Sequence, residues 1–296
     1  MSVLTIFLLI ITGYLLRQIY DRPRLFEILG FLANDLLLTF FVFGSVASKD
    51  LSYLLSVRIV LLFVLAVIAL NLISSLIYWR LFLRKEADWA TALTVLAVFP
   101  NTAALGFPLV GLFLSDLTPA VIFSQVNFML VLPLSIFLIN RRHRAGASPA
   151  QALGQSLRYP PVVANLLAAA LVLIGLRLPE GFTSALISVG WWSLPLMLIY
   201  FGTRTSLRHF ELRRLAEVAI LRMVIPALLI ILALSSAERT IFLSVLIEAS
   251  MPPAIIAGAI LARYKLQSEE SISVTFVLTI LTILVFFGLQ LSGKRF

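Results

Sequence analysis

Cysteine is missing from this chain altogether. Disulfides, thiolate metal sites and cysteine nucleophiles are therefore excluded. Charge is scarce: only 12% of residues are Asp, Glu, Lys or Arg, against about 25% in soluble domains. A larger core cannot absorb that deficit, because a soluble protein's surface still has to face water. With 61% hydrophobic residues and a mean hydropathy of +1.05, much of the surface must face lipid. Histidine is nearly missing too, and both copies, His143 and His209, fall in basic connections. No Walker motif occurs, so nothing points to built-in ATP hydrolysis. The net charge of +9 has no long basic tract to hold a nucleic acid, and loop arginines that orient a membrane chain account for it.

Long apolar runs are what the chain has. Clear spans fall at about 59–79, 89–114, 117–140, 181–203 and 271–293, with a short one at 159–176. Each approaches or exceeds the roughly 20 helical residues that cross a bilayer core. Residues 2–19 make another, without the basic leader or small-residue cleavage site of a signal peptide. Three more each carry one charge away from their ends: about 25–47 with Asp35, 216–235 with Arg222 and 240–263 with Glu248. The expected architecture is all-α and polytopic, with ten transmembrane helices. Connections after odd-numbered spans hold sixteen basic residues and the opposite side six. The positive-inside rule then places both termini outside the cytoplasm.

The longest connection, residues 141–158, divides the chain into 1–140 and 159–296. Each half holds five spans, so a duplicated half inserts upside down and gives a 5+5 inverted repeat. "DLLLTFFVFGSVASKDL" in span 2 resembles "SLPLMLIYFGTRTSLRH" in span 7, with Phe43-Gly44 over Phe201-Gly202.

Two spans are interrupted at their centres. Span 4 reads "AVFPNTAALGFPLVGLFL", with Pro100, Asn101, Thr102, Gly106 and Pro108. Span 9 reads "VLIEASMPPAIIAGAIL", with Glu248, Ser250, Pro252 and Pro253. Proline lacks an N–H and clashes with the preceding turn. Backbone groups freed in lipid survive only where protein or water satisfies them. Broken spans at matching places in two halves point to a transporter's substrate site. Their half-helix N-termini suit anions, and Asn101, Thr102 and Ser250 can add neutral donors and acceptors.

At these residues the sequence resembles a family. "PNTAALGFPL" is close to the P-N-T-x-x-x-G-x-P-L segment of the auxin efflux carriers, and "SMPPAIIAGAILARY" is similar to their second crossover, with Pro252 and Tyr264 on its proline and tyrosine. The resemblance covers the whole chain. It implies a fold related to the bile acid–sodium symporters, with spans 1, 2, 6 and 7 as a scaffold, often dimeric. Spans 3–5 and 8–10 would form a moving transport domain whose broken helices cross at Pro108 and Pro252. Asn101 would contact substrate. The short central connection fits a bacterial inner-membrane member.

The charges within spans carry their own expectations. A carboxylate in the bilayer core costs at least ~2.5 kcal/mol unless paired or protonated. Glu248, beside the second break, and Asp35 are candidates to carry a coupling proton, or to hold a sodium ion with freed carbonyls near Glu248. Asn34 can satisfy Asp35 between helices. Arg222 can snorkel to the cytoplasmic face, attract an anion or pair with Glu248. Asn71, Gln125, Asn127 and Asn165 within spans can each be helix–helix glue, and Gln125 and Asn127, close together in span 5, are also given a place in the substrate site. Trp79 and Trp89 read as an interfacial belt, and Trp191 and Trp192 as packing or oligomer contacts.

The expected function is a secondary transporter for a small organic anion, a carboxylate or an auxin-like indole acid, working by elevator-type alternating access. No cofactor is expected beyond a coupling ion, and the partners are the anion, membrane lipid and a second copy of the chain. A membrane sensor or channel is the alternative, followed by an intramembrane lipid-modifying enzyme.

Overall fold

A computed structural model describes residues 2–20, 22–143, 150–151, 154, 157–204 and 211–291. His209 and most of the 141–158 linker lie outside these residues. Among the described residues the secondary structure is helical apart from one isolated bridge between extended segments. In chain order the helices are α1 (Val3–Ile19), α2 (Pro23–Ala47), α3 (Leu51–Phe82), α4 (Ala87–Val98), α5 (Phe107–Val110), α6 (Thr118–His143), α7 (Pro160–Leu173), α8 (Glu180–Arg204), α9 (Leu212–Leu234), α10 (Arg239–Ala249), α11 (Ile255–Arg263) and α12 (Ser268–Leu291). Six of the described helical segments are long and apolar enough to cross a membrane, and α1, α4 and α7 are shorter apolar helices.

Local chemistry accounts for their ends. Ser2 caps α1 by accepting from the Thr5 N–H, and Asp50 caps α3 by accepting from the Tyr53 N–H at 2.8 Å. Pro23 opens α2 and Pro160 opens α7, at positions where a missing N–H costs nothing.

Glycines set the tightest packing. A Cβ on Gly13 of α1 would lie 2.8 Å from the Ile199 carbonyl carbon of α8, and one on Gly202 of α8 2.8 Å from the Tyr14 nitrogen of α1. A Cβ on Gly190 of α8 would lie 2.6 Å from the Phe41 Cα of α2. Small residues let spanning helices approach backbone to backbone, so α8 is held between α1 and α2.

The apolar interior divides into two clusters. One joins α3, α4, most of α6, α9, α10, the start of α11 and α12. The other joins α1, α2, α5, the beginning of α6, α7 and α8, with Ile247, Met251 and Ile283 reaching into it. The break after α4 and the break after α10 lie where these clusters meet.

Three helical stretches are widened into π-turns: Phe31–Leu37 in α2, Thr102–Gly106 leading into α5, and Ile220–Val224 in α9. A proline ring crowds the carbonyl four residues earlier. Pro108 and Pro226 sit four residues after Ala104 and Arg222, within the second and third stretches. The first has no such proline. There Asn34 donates its side-chain amide to the Gly30 carbonyl at 2.9 Å, so a side chain takes part in the i−4 ladder instead.

Candidate functional site

Where span 4 breaks, the backbone becomes extended at Phe99–Asn101 and pairs antiparallel with residues 252–254. Asn101 N–H donates to the Pro252 carbonyl at 2.8 Å, and Ala254 N–H to the Phe99 carbonyl at 2.7 Å. The resemblance implies a crossing at Pro108 and Pro252. The backbone pairing includes the Pro252 carbonyl and sets Pro100 against Pro253, while Pro108 occupies the first turn of α5, where proline is tolerated. Each break thus satisfies groups that the other frees, which removes the several-kcal/mol cost of leaving them bare.

This crossing closes one wall of a cavity of about 610 Å³. Thr102–Ala104 and Ala254–Ile256 line it, so the helical stretch entering α5 and the start of α11 both present their N-terminal ends to the same space. Leading N–H groups have no partner within their own helix. Asn101, Gln125 and Asn127 line the same wall region. Asn101 Nδ2, Gln125 Oε1 and Asn127 Nδ2 are buried with no hydrogen-bond partner. Thr102 is joined to Ser124 by a hydroxyl–hydroxyl bond of 2.7 Å. The rest of the wall is aromatic and apolar, from Phe31, Phe99, Phe128, Tyr159, Tyr200 and Phe201, with Glu27, Asp35 and Arg204 as its charged members.

The other expected site residues lie elsewhere. Gly106, Pro108, Ser250, Pro252 and Pro253 do not line the cavity. Ser250 donates its hydroxyl back to Leu246 and Ile247, within its own helix. Glu248 is 0% exposed and shut behind Gly106. Of the two carboxylates expected to couple an ion, Asp35 lines the cavity and Glu248 does not. Asn34 does not satisfy Asp35, since its amide is committed to Gly30; its carbonyl accepts from the Tyr159 hydroxyl at 3.0 Å.

Arg222 neither snorkels nor bonds to Glu248. It is 0% exposed, with Nε donating to the Met251 carbonyl at 3.0 Å, one Nη to Ala97 at 3.2 Å and the other to Ala249 at 2.7 Å. These carbonyls end α4 and α10, so one guanidinium caps the negative ends of both half-helices. Neither Glu248 oxygen has a hydrogen-bond partner.

Trp89 is also placed differently from the expected belt. It is 1% exposed and donates its indole N–H to Glu217 at 2.6 Å. Glu217 also accepts from the Tyr78 hydroxyl and Arg213 Nε, each at 2.9 Å. Asn71 is fully buried with neither side-chain end partnered, so it is not acting as glue. Trp191 packs edge-on against Phe41, as expected of a packing contact.

Sequence reasoning passed over Ser124, Tyr159, Arg204 and Glu217. Arg204 belongs to the basic connection after span 7, and Tyr159 stands beside the linker. Neither position carries a local signal of the cavity.

On the face away from Glu27 and Arg204, Asp116 bonds to the Tyr53 hydroxyl, to Lys49 Nζ at 3.1 Å and to Thr118. Burial would raise the Asp116 carboxyl, but these hydrogen bonds and the Lys49 charge outweigh it and hold it below the ordinary carboxylate range. Thr118 also reaches the Ser45 carbonyl at 3.3 Å, so the loop before α6 is tied to the end of α2.

No curated protein matches the chain. A family model described as membrane transport protein matches residues 1–153 and 147–288. With its apolar helices, the protein is an integral membrane protein, and the chain belongs to the membrane transport protein family that contains the auxin efflux carriers.

Proposed function

We propose that this transporter carries a small organic anion by elevator-type alternating access, with ten membrane crossings in two inverted halves. The observation that carries this reading is the pairing of residues 99–101 with 252–254, which turns two half-helix N-termini toward one cavity. That end suits a carboxylate. The unpartnered amides of Asn101, Gln125 and Asn127 supply groups that a ligand would satisfy. The aromatic wall suits an apolar or ring-bearing body, and about 610 Å³ lies within the usual range for small-molecule sites. An aromatic or branched monocarboxylate fits these surroundings, since an aromatic and apolar wall faces the body and Arg204 is the one cation beside Glu27 and Asp35 among the described lining residues.

In this reading α1, α2, α7 and α8 are the scaffold, through which a homodimer forms, and the helices of the first apolar cluster move against it. Glu27, Arg204 and Tyr159 lie at ends that the positive-inside rule assigns to the cytoplasm. The cavity then opens inward, and the Asp116 cluster closes the outer side. Both termini are external, and a bacterial inner membrane is the setting. Asp35 carries the coupling proton, because a neutral Asp35 admits an anion that an ionised one repels.

The test is saturable uptake and counter-exchange of small carboxylates in proteoliposomes. Asn101→Ala weakens the apparent affinity about tenfold, a loss matched to one hydrogen bond to a charged ligand, with the fold retained. Asp35→Asn removes the response to an imposed pH gradient. Wild-type kinetics in Asn101→Ala would sink the site placement, and flux without saturation would favour a channel.

A further inference from the structure

Four oxygen-bearing groups act on Arg222, three of them through hydrogen bonds. Three are backbone carbonyls, those of Ala97, Ala249 and Met251, at 2.7 to 3.2 Å from its nitrogens. The fourth is the Glu248 carboxylate, which acts on the guanidinium electrostatically and has no hydrogen-bond partner of its own. The carbonyls come from two interrupted helices, α4 and α10, and the arginine from a third, α9. Carbonyls of unwound helices joined by a carboxylate are the ligand set with which membrane carriers coordinate small cations. Here every carbonyl points at a covalently attached cation. The site is sealed as well, since Arg222 and Glu248 are both 0% exposed and Gly106 covers the carboxylate.

We propose that Arg222 is a resident counter-ion, its guanidinium filling an oxygen-lined cation site between the two broken helices and thereby replacing a diffusible sodium ion. Arg222 is in this sense a positioning residue, because it holds the half-helix ends without touching the cavity. Three features of the chain support the assignment. Pro226 opens the π-turn on which Arg222 sits. The guanidinium's planar fork serves three acceptors at once. The carbonyls it serves end the helices whose partner segments line the cavity, so their placement sets the cavity's shape.

The consequence for coupling rests on the transporter reading: solute movement by the wild-type protein is insensitive to a sodium gradient, and any ion coupling runs through another group. The occupancy itself does not rest on that reading and is tested without transport. Thermal unfolding of purified protein is followed in sodium, lithium and choline chloride at equal ionic strength. Wild type shows the same Tm in all three. Arg222→Ala, which vacates the site but leaves its oxygens, has a lower Tm in choline and regains at least about 2 °C in sodium or lithium, saturably. Arg222→Lys keeps a charge in place and shows no sodium response. Adding Glu248→Gln to Arg222→Ala abolishes the rescue. A sodium response in wild type or Arg222→Lys overturns the proposal, as does Arg222→Ala protein equally stable, or equally unrecoverable, in sodium and in choline. If the sodium rescue appears while no carboxylate is transported, the proposal stands and the transport reading falls.

Discussion

Gly106→Ala would place a methyl group against Glu248, the most buried carboxylate among the described residues. The new Cβ would lie 2.7 Å from both Cδ and Oε1 of Glu248. Comfortable contact between carbons begins at about 3.5 Å, so the carboxylate must retreat by nearly 1 Å. Glu248 has no exposed surface to retreat into. Overpacking of this kind costs about 1–3 kcal/mol. Against it stands the gain of about 0.5–1 kcal/mol from replacing a helical glycine by alanine. The two effects partly cancel, so the single variant alone is a poor test. A double-mutant cycle with Glu248→Ala separates them, because the propensity gain is the same in both backgrounds while the clash exists in only one. The expected result is that Gly106→Ala destabilises the wild-type background and stabilises the Glu248→Ala background. The coupling should be about 1–3 kcal/mol, within the range measured for touching residues. Thermal unfolding in detergent reads this, at about 2–4 °C per kcal/mol. Effects that add to within about 0.5 kcal/mol would show that Gly106 does not cover Glu248, and the geometry argued for the crossing would fail with them.

Two further expectations follow from the polar clusters. Glu217 is 5% exposed and accepts from Trp89, Tyr78 and Arg213, so Glu217→Ala strands the buried Trp89 N–H, while half-exposed Arg213 keeps water and Glu86, and should cost about 1–3 kcal/mol in thermal or denaturant unfolding; a loss below about 0.5 kcal/mol would show the cluster to be solvated. Asp116 is held below the ordinary carboxylate range, so its contribution is complete at neutral pH, above the unfolded value near ~3.9, and is lost as pH falls through the folded value. Wild type and Asp116→Asn should therefore differ in Tm at pH 7 and converge below about pH 4; a constant difference across that range would remove Asp116 as the titrating group.

Membrane residence was legible from the lack of charge, and the interruptions from Pro100, Pro252 and Pro253. These are local facts: a proline removes its own N–H wherever the chain goes, and an uncharged run avoids water in any fold. Asn101, Thr102, Gln125 and Asn127 were legible as candidates for the same reason, being polar residues within apolar runs. The exact meeting point was not. Two proline-containing stretches in span 4 look alike in sequence, and only the pairing with residues 252–254 distinguishes Pro100 from Pro108.

Long-range partners stayed hidden. Arg222 reaches carbonyls up to 125 residues away, and Trp89 meets Glu217 128 residues on; backbone acceptors carry no side-chain signature that could announce them. Asp35 and Glu248 each read as one acid in an apolar span, and tertiary packing alone turned the first toward the cavity and sealed the second behind Gly106. Sequence by itself thus determined the solvent, the helices and where they break, because these follow from each residue's own chemistry. Which charge faces ligand and which is enclosed was decided by the fold, because burial depends on neighbours that only the folded chain brings together.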